Sequence, residues 1–178
     1  MTTIDQMVDT ILKHEGGFVN LKQDRGGATN FGVTIKEYGD YLGRPATVED
    51  VRLMKKETAR EIFKKKYYYA PKIDKLPTEI QPVIFDACVL YGPKRAIIFL
   101  QRVLNDHGAT LVDDGVLGDK TVTLAFSTVT ILGASTIIRA YVKKRIEFCE
   151  AIVRNNPSQK IFIKGWTNRA NSFLPKKG

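Results

Sequence analysis

His14–Thr34 reads HEGGFVNLKQDRGGATNFGVT, and the rest of the chain is organised around it. The residues before it have helical spacing. Ile4, Met7, Val8, Ile11 and Leu12 recur at three- and four-residue steps, one face of an α-helix. Thr3 and Gln6 are placed to form a capping box at its start. Glu15 continues the apolar stripe, four residues after Ile11, and Gly16-Gly17 then stops the helix. A carboxylate at the buried edge of a helix end loses hydration and holds its proton more tightly. A general acid needs that property.

Two further groups follow on a glycine-studded loop. Asp24 precedes Arg25-Gly26-Gly27, a turn signal, and Thr29 lies five residues beyond Asp24. Asp24 would otherwise serve as a turn cap and Thr29 as a strand hydroxyl. Taken together, the three side chains offer an acid, a second carboxylate and a hydroxyl able to orient water. Paired carboxylates flanking a bond are the usual equipment for cutting a glycosidic linkage.

The segment Glu15–Thr34 resembles the signature of the glycosyl hydrolase 108 family, muramidases of phages and bacteria. The matching positions are Glu15, Gly16, Gly17, Phe18, Val19, Asn20, Asp24, Gly26, Gly27, Thr29, Asn30, Gly32 and Thr34. The Glu15-to-Asp24 spacing is also similar to that of phage-type lysozymes, with Thr29 one residue closer than in those enzymes. Leu21-Lys22 stand where the family often has Asp-Pro. Phe85–Ala96, FDACVLYGPKRA, is similar to the family's second conserved stretch, with Leu90 where an Asn is usual. Gly165-Trp166-x-x-Arg169 resembles its closing element.

The resemblance implies a mainly α (α+β), lysozyme-like fold of two lobes, with a small β-hairpin in the first. The expected division is residues 1–76, a catalytic lobe, and residues 77–178, a helical lobe like peptidoglycan-binding modules. It implies an endolysin cutting the β-1,4 bond between N-acetylmuramic acid and N-acetylglucosamine. Glu15 would be the general acid, assisted by Asp24 and Thr29, in a cleft between the lobes. Asn30, Tyr69 and Tyr91 are the candidate sugar contacts, and no metal or organic cofactor is implied. Two rivals stand beside it. One is a lytic transglycosylase on the same bond; the other is a non-catalytic basic module that binds wall polymer or nucleic acid.

Composition narrows these. The 178 residues carry 28 Lys+Arg against 19 Asp+Glu, a net charge of +9. Such a protein is drawn to polyanions, and the stretch from Arg139 to Gly178 alone carries a net +8. The expected partner is bacterial peptidoglycan, with anionic envelope polymers met by the basic C-terminal region, no nucleic acid, and a monomeric state. Cys88 and Cys149 lie in apolar helical patterns and read as buried thiols, a disulfide being the alternative. His14 and His107 are isolated, with no metal-ligand cluster around them. The N-terminus has neither a basic region nor an apolar run, so no signal peptide is expected. With the resemblance, that implies synthesis in a host cytoplasm and release through a holin-type lesion. The uncharged run Thr121–Ile138 contains seven Ser/Thr and a Gly, and reads as two buried helix segments and not as a span.

Further helices are expected over 34–42, 47–54, 56–69, 77–91, 93–105, 135–155 and 158–173. The hairpin should lie within Gly17–Val33. Val112–Thr121 reads as a glycine turn in which Asp119 caps the next helix.

Overall fold

α1 (Ile4–His14) forms on its apolar spacing, burying Met7, Val8, Ile11 and Leu12 along one face, in the computed structural model, which describes residues 2–20 and 27–175. Thr3 Oγ1 accepts from the Gln6 backbone N–H at 3.2 Å, and Gln6 Oε1 accepts from the Thr3 N–H at 2.9 Å. The expected capping box is therefore complete. The described residues divide into two compact units, Thr2–Ala70 and Pro71–Gly178.

In the first unit, β1 (Thr29–Asn30) and β2 (Val33–Thr34) form an antiparallel hairpin, pairing Thr29 with Thr34 and Asn30 with Val33. Both turn residues have positive φ, 50° at Phe31 and 78° at Gly32. That is the two-residue turn whose twist matches the strands. This turn puts the hairpin at 29–34, the far end of the expected window. Val19 adds a single bridge, exchanging two 2.8 Å backbone hydrogen bonds with Thr29.

Two more capping boxes open α2 (Ile35–Leu42) at Thr34/Glu37 and α3 (Val48–Arg52) at Thr47/Asp50. The expected helix over 56–69 is present but changes pitch. α4 (Lys56–Phe63) passes into a π-helical turn, Lys64–Tyr69, closed by the Ala70 N–H on the Lys65 carbonyl at 3.0 Å. The wider turn separates the three tyrosines: Tyr68 is buried, Tyr69 exposed. Asp5 and Asp9 of α1 pair with Arg60 and Lys64. Water screens these pairs, so the buried apolar face is what holds α1.

The second unit is built on α5 (Gln81–Tyr91), which is apolar on nearly every side and buried. It starts four residues later than expected. Pro82 explains this: at the first turn its missing N–H is harmless, whereas a helix begun at Pro77 would hold it in the interior. α6 (Pro93–Asp106) packs on α5, and α7 (Asp119–Leu132) and α8 (Ala134–Asn155) are separated by Gly133 at φ 82°. A short 3-10 turn, Pro157–Gln159, leads into α9 (Lys160–Asn171), which returns along α8.

Gly115 is at φ +77°, and a Cβ there would lie 2.7 Å from the Lys94 carbonyl oxygen. The Gln101 amide holds this loop through Asp114, Gly115 and Val116. Asp119 does not cap α7. Gly118 occupies the cap, and Asp119 is the first helical residue, where its charge complements the helix N-terminus. No single described helix is long and apolar enough to cross a membrane; α7 and α8 together pass by length and composition but bend by 117°. Of the uncharged run, Thr121, Ala125, Thr128 and Ile137 are buried, whereas Phe126, Ile131 and Leu132 face solvent. Both cysteines are free and buried.

Candidate active site

α1 ends one residue before Glu15. Glu15 caps it in an extended conformation, φ −90° and ψ 141°, with its N–H still donating to the Ile11 carbonyl at 3.2 Å. The chain therefore leaves the helix at the acid itself, and Glu15 is half-buried. Its side chain lies against the turn of the hairpin. A Cβ built on Gly32 would stand 2.6 Å from Glu15 Oε2 and 2.8 Å from Cγ, distances no real Cβ tolerates. Gly32 is thus required twice, by its φ and by the carboxylate beside it.

The same hairpin carries Thr29. Residues paired across an antiparallel ladder share a face, so Thr29 and Thr34 lie on one side and Asn30 and Val33 on the other, the buried side. Asn30 is 4% exposed, and its Nδ2 donates to the carbonyls of Val51 (3.0 Å) and Arg52 (3.3 Å). That amide ties the hairpin to α3. Arg52 in turn lies 5.0 Å over the Phe18 ring, holding the segment just after Glu15.

Asp24 lies outside the described residues, as do its neighbours 21–23, 25 and 26. Tyr69 ends the π-helical turn, 51% exposed, its ring edge-on to Tyr68 at 5.0 Å. Tyr91 lies in the second unit, at the end of α5. Its ring meets Phe99 and Phe148 edge-on, and its hydroxyl is 3.3 Å from Cys149 Sγ. Burial, then the Cys149 contact, push that hydroxyl up to about 12. Among the described residues no group of His, Cys, Asp or Glu could hold a metal ion.

Two charge clusters escaped the sequence. Glu37 closes the Thr34 cap and also accepts from Lys66 Nζ (2.6 Å) and Tyr67 Oη (2.5 Å). Burial raises its pKa, but the hydrogen bonds from Lys66, Tyr67 and Thr34 outweigh that and lower it. The start of a helix at Thr34 was visible in the sequence; partners thirty residues away were not. In the second unit, buried Asp86 receives Arg145 Nη2 at 2.5 Å and Arg169 Nε at 2.9 Å. Arg145 is wholly buried. The available signal was a charge on the apolar stripe of α8, four residues after Tyr141 and four before Cys149.

Residues 8–92 match the family model described as "Glycosyl hydrolase 108". Residues 95–171 match one described as "Predicted Peptidoglycan domain". Among solved structures, the chain is similar to that titled "Structure of Brucella abortus SagA", at 28% identity and a TM-score of 0.76, over 96% of this chain and 90% of that one. No curated protein matches it in sequence.

Proposed function

We propose that this chain, whose residues 8–92 match the glycosyl hydrolase 108 model and residues 95–171 a peptidoglycan-domain model, is a glycosidase acting on peptidoglycan and, within that class, a muramidase. It hydrolyses the β-1,4 bond from N-acetylmuramic acid to N-acetylglucosamine. The observation that supports this reading is the seat of Glu15: an acid at a helix end, half-buried, packed on the turn of the hairpin that carries Thr29.

In this mechanism Glu15 donates its proton to the glycosidic oxygen as the bond to C1 breaks. The oxocarbenium-like transition state gathers positive charge at C1. Asp24 supplies the opposing negative charge, Thr29 accepts a hydrogen bond from the water that adds to C1, and the proton this water releases passes to solvent, from which Glu15 is re-protonated. The Thr29 hydroxyl makes no hydrogen bond among the described residues, so it is available for that water. Tyr69, half-exposed, offers a ring face to a pyranose. The Asn30 side-chain N–H is engaged by the α3 carbonyls, and Tyr91, in the second unit, has its hydroxyl against Cys149. A phage endolysin released through a holin-type lesion is the setting we propose for it.

The test is Glu15→Gln on purified sacculi, with products weighed by mass spectrometry and folding followed by circular dichroism. General acid catalysis contributes ~10²–10⁴-fold, and a loss of that size is expected. A folded variant of near wild-type activity rejects the assignment. Wild-type products one water lighter, ending in an anhydro-sugar, would make the enzyme a lytic transglycosylase.

A further inference from the structure

Arg52, the last residue of α3, joins the two segments that the proposed mechanism uses. Its carbonyl accepts from Asn30 Nδ2 at 3.3 Å, which ties it to the hairpin carrying Thr29. Its guanidinium carbon lies 5.0 Å from the centre of the Phe18 ring, three residues after Glu15. Val19, next to Phe18, exchanges backbone hydrogen bonds with Thr29, next to Asn30, and this closes the circuit. Three residues of chain reach at most about 11 Å, a span comparable to one disaccharide repeat of a β-1,4 glycan.

Contact with Phe18 accounts for the position of the guanidinium but not for its donors. Nε faces Glu49 Oε2 at 3.5 Å, between side chains 57% and 64% exposed, and such a pair is worth little. Nη1 and Nη2 make no hydrogen bond or ion pair among the described residues. A free two-pronged donor of this kind fits a carboxylate. The glycan strand of peptidoglycan carries its own anionic groups in one place, on the lactyl ether at O3 of muramic acid. There the carboxylate is that of the lactyl group in a bare strand, or of the stem peptide where one is attached. We propose that Arg52 is a specificity residue whose guanidinium takes a carboxylate on this branch and so selects peptidoglycan over uncharged β-1,4 glycans. The inference rests on the muramidase reading and names the group by which that site knows its substrate.

The experiment measures kcat and KM of the full chain on soluble glycan strands, either bearing stem peptides or stripped of them by an amidase. Each strand is tested before and after its carboxylates are converted to amides. For the wild-type chain, amidation should raise KM about ten- to hundredfold, the range of a hydrogen bond to a charged group, with kcat little changed. The strand that shows the rise tells whether the carboxylate is lactyl or peptide. Arg52→Gln should raise KM on the untreated strand to the amidated level and abolish the discrimination. Arg52→Lys keeps a charge near Phe18 without the fork, and should recover affinity only in part. Lys36→Gln removes an exposed charge from α2 and should leave KM at the wild-type value.

A wild-type KM unmoved by amidation of either strand overturns the proposal, whatever the variants do. So does an Arg52→Gln enzyme that keeps the discrimination, or one that loses kcat equally on every strand with KM unchanged, which leaves Arg52 a clamp on Phe18. A rise in KM for Lys36→Gln equal to that for Arg52→Gln assigns the effect to bulk charge and equally overturns it. Should Arg52→Gln fail to fold, the wild-type comparison and Arg52→Lys still decide. A wild-type chain that cuts no β-1,4 bond in any strand rejects the muramidase reading and this inference with it; cleavage without discrimination removes this inference alone.

Discussion

The carboxylate of Glu15 occupies the space where Gly32 would carry a side chain, 2.6 Å from Oε2 to the missing Cβ. The acid and the hairpin turn are fitted to each other, though seventeen residues of chain separate them. Gly32→Ala must therefore push Glu15 aside and hold an L-residue at φ +78°. The backbone cost alone is roughly 1–2 kcal/mol. We expect a lower unfolding midpoint and, in protein that remains folded, wall lysis reduced in step with displacement of Glu15. Urea unfolding with a turbidity assay on the same preparation measures both.

Thr29→Val separates the hydroxyl from the fold. The backbone bonds of Thr29 with Val19 do not involve its side chain, and valine suits a strand. Stability should stay within about 0.5 kcal/mol of wild type. The rate on sacculi should fall about tenfold or more if the hydroxyl orients water, with KM little changed. A wild-type rate would remove Thr29 from the mechanism.

Glu37 links stability to pH. Its folded pKa is lowered from the ordinary glutamate value, so the unfolded chain binds the proton more tightly. Stability from this group is present above the unfolded value and lost as pH falls through the lower, folded one. Glu37→Gln should thus be less stable than wild type at neutral pH, and the gap should close under acid. Thermal melts at pH 7 and below pH 4 give the comparison; a gap that does not narrow refutes the role.

Asp86→Ala leaves Arg145 buried without its anion, since Arg145 is 0% exposed. Removing one partner of a buried pair costs about 3–5 kcal/mol. A drop in melting temperature on the order of 10 °C is expected, located in the second unit, Pro71–Gly178. Hydrogen exchange should show α8 and α9 losing protection ahead of α1.

Local signals were legible in the sequence because they act within one helical turn. The capping boxes at Thr3, Thr34 and Thr47 stand where their residue pairs put them. The helix ends expected at 42 and 91 stand because Gly43 and Gly92, at φ 69° and 81°, stop α2 and α5 there. Misplaced boundaries came from one competing residue each: Pro82 delays α5, and Gly118 takes the cap that Asp119 was expected to hold.

The order of helices and the family signature from Glu15 to Thr34 were determined by sequence alone, since caps, periodicity and turn preferences need no distant partner. Only the tertiary structure decided where the side chains end up. It set Glu15 against Gly32, turned the Asn30 amide into a tie to α3, gave Glu37 its partners Lys66 and Tyr67, and joined Asp86 to Arg145 and Arg169. A buried charge or a crowded glycine is satisfied by whatever the fold brings near, and that neighbour leaves no mark on the residues beside it in the chain.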